Sequence, residues 1–536
     1  MSKAAEMAKV SVKGGFHLLW GLVASTIISA IGTIIVAKLL GAGNYGLYTV
    51  ALTAPTLISN FRDWGINTAM IKYAAQYNSE RDVAKIRSIF LSGLVFEVVL
   101  GVLLSGLCFI LSPFLAATLH RPAIVPLIQI LSLFILTGGL VNAAVAAFTG
   151  LETMHLYSIT LIIQSLARYG LIVGLLFFGL GTVGAVTGYS AGALIAGLTG
   201  VLLMWTMYKS LPQPASSKLE MFRTIKTMFN YGLPLSIGGI LTTFLSQFYI
   251  IILAIYVTNN VIIGNYSLAV YFTVLITFFA TPVTTMLFPA FSKLDGQKDN
   301  ETLKNVFQYS VKYAALIVVP ITAIVMALAQ PGVGTIFGNT YAQAPLFLAL
   351  TSITYLYSAF GSLSAGNLIN GQGFTTYNMW LSVLTVAIGF PLSFLLISNF
   401  GVIGLIATSL TVGLPSLFLS LRFIKNHFAV SLDWASSAKI LLSSAIAAIL
   451  TYLLTLELAF SNPVKLVIGI IAFCVILVAA ALFTGTIKRA DLINMKEITN
   501  SLGPLRGPLR SLLNLLDKLI VTFRLEEETP AKTGQA

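Results

Sequence analysis

Long apolar runs separated by short polar segments occupy most of the chain. Each run is about 20 residues or longer, the length that an α-helix needs to cross the hydrocarbon core of a bilayer. Because a helix satisfies its own backbone hydrogen bonds, the pattern predicts an all-α polytopic membrane protein with about 14 transmembrane helices. The predicted spans are 16–38, 46–66, 89–116, 123–148, 156–178, 182–205, 231–257, 264–290, 311–335, 344–369, 376–398, 402–423, 438–459 and 464–487.

The composition agrees with a chain embedded in lipid. Of the 536 residues, 57% are hydrophobic and only 9% are charged, and the mean hydropathy is +0.91. A soluble globular domain carries about 25% charged residues. The two cysteines, Cys108 and Cys474, both lie in apolar runs, which excludes a disulfide framework.

The sequence lacks the usual signals of catalysis and of nucleotide binding. The loops predicted on the side opposite the termini have at most about a dozen residues and no paired carboxylates, which a membrane-embedded glycosyltransferase or ligase would need. A G-x-x-x-x-G-K-[ST] loop does not occur either. We therefore expect a protein that is not an enzyme and that holds no cofactor and no metal.

Lysine and arginine are distributed very unevenly between the two sides of the predicted membrane map. If both termini lie on one side, 26 of the 31 basic residues fall there and only Lys38, Arg121 and Lys465 fall on the other side. Since basic loops are retained in the cytoplasm, this predicts a multi-pass plasma-membrane protein with both termini cytoplasmic. Most of the net charge of +13 then faces anionic lipid, so no nucleic-acid partner is required.

Short similarities recur about 220 residues apart along the chain. GNYGLYTVA at 43–51 resembles GNYSLAVYF at 264–272, and GTVGAVTG at 181–188 resembles GVIGLIAT at 401–408. The repeat predicts two parallel six-helix bundles plus an extra helix pair, as in transporters that rock two halves around a central site. The predicted segments are an N-terminal six-helix lobe (1–207), a cytoplasmic linker (208–230), a C-terminal six-helix lobe (231–430), helices 13 and 14 (431–487) and a cytoplasmic tail (488–536).

The tail contains an amphipathic stretch. In PLRSLLNLLDKLIVTFRL, at 508–525, large apolar side chains recur on one helical face and polar ones interrupt the other. This pattern predicts an interfacial helix that lies on the inner leaflet. A helix that binds a partner protein is the alternative interpretation.

Small residues follow one another at every fourth position of the sixth run. This spacing places them on one helical face and predicts close packing against a neighbouring helix, without indicating a substrate. The positions are Gly184, Gly188, Gly192, Ala196 and Gly200.

Three segments of the first quarter of the chain carry a family resemblance: KGG at 13–15, AKLLGAGNYGLYTVAL at 37–52 and DWGINTAMIKYAA at 63–75. With them, the chain resembles the oligosaccharide flippases of the polysaccharide transporter branch of the multidrug/oligosaccharidyl-lipid/polysaccharide exporter superfamily. The resemblance implies a V-shaped cavity between two lobes and transfer of a polyprenyl-phosphate-linked oligosaccharide from the inner to the outer leaflet. Membrane lipid and other polysaccharide-assembly proteins are the implied partners. A cation-coupled multidrug exporter of the same superfamily is the alternative.

Charged residues within spans are the candidates for a site, because each is costly in lipid unless it faces a cavity or a partner. Arg168 lies about 18 Å into the fifth predicted helix at 1.5 Å per residue. It is predicted either to face the cavity and bind phosphate or to form a salt bridge with Glu97 of the third helix. The two arrangements can also alternate between states.

Arg62 and Asp63 form the second candidate, near the inner end of the second predicted helix. One interpretation is an arginine that snorkels to the interface beside a helix-end aspartate. The other places Arg62 at the inner mouth of the cavity as a phosphate ligand, with Asp63 fixing its rotamer. Asp63 and Glu97 are predicted coupling groups or permanent counter-ions. Gln247, in SQFYIIIL at 246–253, is predicted either to bind sugar or to bond between helices.

Overall fold

The computed structural model describes residues 3–212, 221–294 and 300–486, together with residue 514. Within these residues the regular secondary structure is helical, which confirms the predicted all-α class. Two short 3₁₀ turns, Pro122–Ile124 and Tyr357–Phe360, accompany the α-helices. The α-helices are α1 (Lys3–Ser59), α2 (Ile66–Glu80), α3 (Val83–Thr118), α4 (Val125–Gly150), α5 (Met154–Phe177), α6 (Gly181–Ser210), α7 (Met221–Tyr256), α8 (Asn260–Phe272), α9 (Val274–Ser292), α10 (Asn300–Ala327), α11 (Ala329–Phe337), α12 (Ala344–Leu356), α13 (Ala365–Gly371), α14 (Thr375–Phe428), α15 (Trp434–Glu457) and α16 (Asn462–Phe483).

The number of membrane spans follows from the lengths of these helices. Among the described residues, 11 helices are long and apolar enough to cross a bilayer, and a pair bent by 50°, Ala344–Phe360 with Ala365–Gly371, makes up to 12. Two of the 11, α1 and α14, have 57 and 54 residues and leave helical geometry at Gly41 and Gly401. Each is about 80 Å long or more, well over twice the hydrocarbon thickness, so each crosses twice. With one further span for each of the two broken helices, the 12 candidates give fourteen spans among the described residues.

Two predicted boundaries are placed differently by the structure. The second span was expected to end at residue 66, but the helix ends at Ser59 and a new helix, α2, starts at Ile66. The predicted linker 208–230 is helical at both of its described ends, because α6 continues to Ser210 and α7 starts at Met221. The predicted interfacial helix at 508–525 lies outside the described residues, apart from residue 514.

Contacts divide the chain into two compact units. Unit 1 combines Met1–Tyr271, Ile336–Phe347 and Thr376–Ser416. Unit 2 combines Phe272–Thr335, Leu348–Thr375 and Leu417–Ala536. These units do not follow the boundaries expected near 207 and 430, so the two six-helix lobes stay a prediction.

The core of unit 1 is centred on α2. Its residues Ile66 and Met70 are fully buried against Phe90 of α3, Phe148 of α4 and Met228 of α7. These contacts surround the short helix with three longer ones, although its sequence is too polar to be a span by itself. A helix begun by a break in a span is thus held by tertiary packing and not by propensity.

The glycine ridge of α6 packs closely on α5, as its spacing predicts. A Cβ atom at Gly192 would overlap the backbone of Arg168, and one at Gly188 would lie 2.5 Å from the backbone nitrogen of Ile172. Only glycine permits helices to approach so closely. The ridge therefore fixes the backbone position of Arg168 in the middle of α5.

Unit 2 is built around α10, α15 and α16. Ala315 and Val319 of α10 pack with Ala359 and with Ile440 of α15, and α15 also packs along α16. The Ser437 hydroxyl donates a 2.6 Å hydrogen bond to the carbonyl oxygen of Ala359. Helices α15 and α16 correspond to the extra pair predicted at 431–487.

Candidate substrate-binding site

The second span is interrupted between Ser59 and Ile66. Residues 60–62 continue with turn-like bonds from each N–H to the carbonyl three residues earlier, at 3.1–3.2 Å. Trp64 and Gly65 then adopt left-handed backbone, with φ of 46° and 81°. This conformation ends the helix and is the physical reason why the predicted span 46–66 is too long. Broken helices within a membrane commonly mark the binding site of a transporter.

Arg62 lies in this break and is almost fully buried, with 3% of its surface exposed. Its Nε donates to Oε2 of Glu97 on α3 at 2.6 Å. Its Nη1 donates to the Ser59 hydroxyl at 3.0 Å and to the carbonyl oxygen of Ile135 at 2.8 Å. Ile135 lies in the middle of α4, a candidate span, so the Arg62 guanidinium packs among helices and does not extend to an exposed interface. The snorkelling interpretation is therefore wrong.

Glu97 joins the two sides of the break. While Oε2 accepts from Arg62, Oε1 accepts a 2.6 Å hydrogen bond from the side-chain amide of Asn67, in the first turn of α2. Asp63 accepts instead from the backbone N–H of Asn67 at 2.8 Å. Glu97, not Asp63, therefore fixes the Arg62 side chain, which corrects the predicted role of Asp63. The predicted salt bridge between Glu97 and Arg168 is not formed in this structure, where Arg62 is the ion-pair partner of Glu97.

Two consecutive glycines of α4 make room for the pair. A Cβ atom at Gly139 would lie 2.7 Å from Oε2 of Glu97 and 3.0 Å from Nε of Arg62. One at Gly138 would lie 3.3 Å from Nη1 of Arg62. No motif in the sequence distinguishes these glycines from others in the apolar runs. Their only signal was a Gly-Gly pair inside an apolar run, which is common in membrane helices.

A cavity of about 340 Å³ opens beside Arg62, entirely within unit 1. The three bonds of Arg62 use Nε and Nη1, and no partner of Nη2 is found among the described residues. The buried side-chain nitrogen of Asn60 also lacks a hydrogen-bond partner there. Two donors are thus present for a ligand that accepts hydrogen bonds. The cavity is lined by Ser59, Asn60, Arg62 and Asp63 of the break, Asn142 of α4, and Ser236, Gly239, Ile240 and Thr243 of α7.

Arg168 has a different environment from Arg62. Its guanidinium carbon lies 4.2 Å from the ring centroid of Tyr189 on α6, and its buried Nε has no hydrogen-bond partner in the described chain. No carboxylate lies within 4.0 Å of it among residues 3–212, 221–294 and 300–486. Arg168 is therefore a half-buried cation that lies on an aromatic face instead of against an acid.

A pair of aromatic rings connects the two arginines. Phe134 lies beside Gly138, where the Arg62 guanidinium also packs, and its ring centroid is 5.1 Å from that of Tyr189. Tyr189 in turn contacts Arg168. Arg62 and Arg168 are thus linked by a continuous row of contacts through Phe134 and Tyr189. Arg168 itself does not line the cavity beside Arg62.

Gln247 lies on α7 and is half-buried. It follows Ser236, Ile240 and Thr243 at intervals of three to four residues, so it continues the helical face that lines the cavity. It does not line the cavity itself, and the structure places it one turn further along that face. Its role in binding sugar or in bonding between helices stays a prediction.

Two known proteins are similar to this chain in sequence. An uncharacterized membrane protein of Methanocaldococcus jannaschii is 23% identical over 415 residues, which cover 74% of this chain and 81% of that protein. Agl15 of Haloferax volcanii, described as a probable low-salt glycan biosynthesis flippase, is 22% identical over 284 residues. That match covers 52% of this chain and 58% of Agl15.

Two solved structures share the fold, as do further members of the same groups. The lipid II flippase MurJ in its inward closed conformation matches with a TM-score of 0.68 and 15% identity, covering 87% of this chain and 98% of that chain. An inward-facing multidrug resistance transporter of the MATE family, from the MOP superfamily, matches with a TM-score of 0.58 and 16% identity, covering 77% and 99%. At these identities the likeness establishes the fold alone.

The family itself is shown by the sequence. The profile of the family described as "Polysaccharide biosynthesis protein" matches residues 11–295, which include the helix break, Glu97, Arg168 and Gln247. Because this match spans more than half of the 536 residues, the chain belongs to the polysaccharide biosynthesis protein family.

Proposed function

We propose that the protein flips a lipid-linked oligosaccharide, a polyprenyl-phosphate-linked glycan, from the inner to the outer leaflet by alternating access. The product would serve cell-surface polysaccharide or glycoprotein biosynthesis. Family membership supports this proposal, as do the descriptions of Agl15 and MurJ as flippases. The observation that carries it is the cavity at the helix break, where Arg62 and Asn60 each present a donor without a partner.

The chemistry of this cavity suits a phosphate group and its attached sugar. A guanidinium N–H bound to a phosphate oxygen forms a charge-assisted hydrogen bond, stronger than one between neutral groups. Amide and hydroxyl groups of Asn142, Ser236 and Thr243 lie around the same space and match sugar hydroxyls. The polyprenyl tail needs no site in the cavity, because it is soluble in the surrounding hydrocarbon.

Arg168 and Gln247 are proposed to act after Arg62 along the same path. Arg168 has no acidic partner among the described residues, so an anionic headgroup would supply the missing counter-charge. Buried charges are stable only when they are paired. Gln247 continues the cavity-lining face of α7 and would bind sugar. Glu97 and Asp63 are proposed as the coupling or counter-ion groups that respond when phosphate competes for Arg62.

The proposed orientation places both termini in the cytoplasm of a plasma-membrane protein. It rests on the uneven distribution of basic residues. In a variant without Cys108 and Cys474, a single cysteine at Asn259 should react with an impermeant thiol reagent added to intact cells. A cysteine at Ser79 should be protected. Labelling at Ser79 and protection at Asn259 would reverse the orientation.

A cation-coupled multidrug exporter is the second candidate. It is favoured by the carboxylate of Asp63, which lines the cavity and would attract a cationic drug, and by the fold shared with a MATE-family transporter. In this case Asp63 would be more important than Arg62 for transport. A cationic dye and an anionic lipid, assayed with the same purified protein, distinguish the two functions.

The test uses purified protein in sealed vesicles with a short-chain polyprenyl pyrophosphate that carries one fluorescent sugar. An impermeant quencher reports how fast the sugar changes leaflets. Arg62→Ala and Arg168→Ala should each lower the rate about tenfold or more, because each loses charge-assisted hydrogen bonds worth about 1.5–3 kcal/mol. Arg168→Lys should recover part of the rate, since a lysine lacks the planar fork of donors.

The matched control is Lys38→Ala, which removes an exposed cation and should leave the rate unchanged. A wild-type protein that moves the cationic dye but not the lipid would reject the flippase proposal. Equal rates for wild type, Arg62→Ala and Arg168→Ala would reject these residues as the site.

A further inference from the structure

The two copies of the GNY motif, which the sequence places 221 residues apart, meet each other in unit 1. A Cβ atom at Gly46, just after the first motif, would overlap the carbonyl oxygen of Asn260 and lie 2.8 Å from the backbone nitrogen of Gly264. A Cβ atom at Gly264, which opens the second motif, would overlap the carbonyl oxygen of Ala42. The backbones of the two repeats therefore touch through glycines on both sides.

Side-chain hydrogen bonds surround this backbone contact. The Ser267 hydroxyl donates to that of Thr49 at 3.1 Å, and Tyr341 donates to the carbonyl oxygen of Ala37 at 2.7 Å. Asn265, within the second motif, accepts from the backbone N–H groups of residues 343 and 344 at 3.0 and 2.9 Å. These hydrogen bonds thus join three segments at one end of the helices: the start of the second span, α8 and the segment before α12. We refer to the contact of Gly43, Gly46, Asn260 and Gly264 as the GNY contact.

Arg121 forms further hydrogen bonds at the same end of the helices. It lies in the turn between α3 and α4, and only 7% of its surface is exposed. Its Nη1 donates to the carbonyl oxygens of Leu119 and Ala254 at 2.7 and 2.6 Å. Its Nη2 donates to that of Val257 at 2.8 Å, and its Nε to the side-chain oxygen of Asn260 at 2.7 Å.

The chemistry of these four bonds is suited to a contact that opens. Three of the four acceptors lie between Ala254, in the last turn of α7, and Asn260, the first residue of α8. We call this stretch the α7–α8 turn, and separating it from Arg121 breaks three bonds at once. The acceptors are neutral carbonyl and amide oxygens at the end of α7, where the helix dipole favours a cation. No carboxylate would be left as an unpaired charge, and water can replace each bond when the turn moves away.

We propose that the GNY contact is a gate at this end of the transport path and that Arg121 is its latch. The gate opens when the α7–α8 turn leaves Arg121 and the two repeats separate at Gly46 and Gly264. At the opposite end of the same interface, the backbones of Gly65 and Gly232 touch beside the cavity, and the Lys72 ammonium of α2 lies 4.6 Å from the ring centroid of Tyr231 on α7. Opening the first end requires the hydrogen bonds of Arg121 to break, whereas opening the second requires two glycine backbones to separate.

The first experiment measures the gate without any substrate. Spin labels are placed on cysteines at Thr118 and Thr258, both exposed and flanking Arg121 and Val257, in full-length protein without Cys108 and Cys474. Dipolar broadening should report one short separation in the wild type. Arg121→Ala should shift most of the population to a longer separation, and Arg121→Lys, which retains a single ammonium group, should give a mixture.

Lys38→Ala is the matched control, because it removes an exposed cation and should not change the spectrum. If Arg121→Ala does not fold, Asn260→Ala removes a single latch bond and should still increase the longer separation. Spectra identical to wild type in every folded latch variant, or an equal change in Lys38→Ala, would overturn the latch.

The second experiment rests on the proposed function and locks the gate. A Cβ atom added at Gly43 would lie 3.7 Å from a side-chain methyl of Val261. The double variant Gly43→Cys with Val261→Cys therefore places two thiols within disulfide range. Oxidation should lower lipid transfer about tenfold or more and reduction should restore it. Ser29→Cys with Ser165→Cys, whose hydroxyls are 3.1 Å apart between α1 and α5, is the control and should transport when oxidised.

The two experiments fail in different ways. Undiminished transfer by the oxidised Gly43–Val261 pair, with the disulfide formed, would show that the contact does not need to open. Absence of transfer by the reduced wild-type protein would reject the proposed function, and the spin-label spectra would still decide whether Arg121 closes the gate.

Discussion

Arg62 is buried and Arg168 half-buried in the same unit, and their charges are balanced in different ways. Arg62 forms a 2.6 Å ion pair with Glu97, whereas Arg168 lies 4.2 Å from the centre of the Tyr189 ring and has no carboxylate within reach among the described residues. A ring face attracts a cation more weakly than a carboxylate does. The ion pair of Arg62 therefore stabilises the packing of the helix break against α3. Arg168 carries a positive charge that can attract an anionic ligand.

This comparison changes what each residue is expected to contribute to transport. An anion that approaches Arg62 must share the guanidinium with Glu97 or bind through Nη2 alone. An anion at Arg168 meets no internal competitor. We therefore expect Arg62 to orient the headgroup at the break and Arg168 to provide most of the net attraction.

The largest expected difference is in stability. Arg62→Leu leaves the carboxylate of Glu97 buried without its ion-pair partner, and breaking a buried pair in this way costs about 3–5 kcal/mol. Arg168→Leu strands no acid and should change the free energy of unfolding by no more than about 1–2 kcal/mol. Thermal unfolding of the two variants in the same detergent measures the difference.

The double variant sharpens this result. Arg62→Leu with Glu97→Leu removes both charges and should be more stable than either single variant, because apolar replacement of a buried pair is often neutral. If Arg168→Leu unfolds as easily as Arg62→Leu, the contrast between the two arginines is wrong.

A smaller effect is expected at Gly139, which touches the ion pair without taking part in it. Gly139→Ala places a methyl group against Oε2 of Glu97 and should cost about 1–3 kcal/mol by overpacking. It should also slow lipid transfer, because Arg62 must shift. Gly106→Ala on α3 is the control, since its Cβ would meet nothing within 4 Å. Equal melting temperatures for the two variants would contradict the close fit around the pair.

The smallest effect concerns the Tyr189 ring, which contacts the Arg168 guanidinium. Tyr189→Leu removes the cation–π contact, which is worth about 0.5–2 kcal/mol, while Tyr189→Phe keeps the ring. We expect Tyr189→Leu to weaken binding of the lipid probe by about threefold to thirtyfold and Tyr189→Phe to bind nearly as the wild type. Loss of affinity in Tyr189→Phe alone would assign the role to the hydroxyl group instead of the ring.

The span map was predictable because each span carries its own signal. A helix in lipid needs about 20 apolar residues whatever its neighbours are, so run length alone located fourteen spans, including both sides of the breaks at Gly41 and Gly401. The glycine ridge of α6 was also readable, since small residues at fourfold spacing have a direct packing consequence. Arg168 was placed correctly in the middle of a helix for the same local reason.

The arrangement of the site was less predictable, because it depends on contacts between distant parts of the chain. Nothing in the sequence indicates that Glu97 pairs with a residue 35 positions earlier in preference to Arg168. The break at 60–65 was hidden because Trp64 and Gly65 also suit the end of a span at the interface. Its available signal was the polar character of residues 67–80, which are a poor continuation of a span but a good amphipathic helix packed among others.

The ion pair between Arg62 and Glu97 also constrains how the chain is made. Arg62 is synthesised 35 residues before Glu97, so the first two spans leave the ribosome with an arginine whose partner does not yet exist. An arginine at mid-membrane costs about 2.5–3.5 kcal/mol during insertion. We expect residues 42–80 to be retained at the insertion machinery until α3 arrives, and to enter the bilayer with it as one three-segment unit. Nascent chains stalled before and after residue 97 should then differ in their resistance to extraction from the membrane.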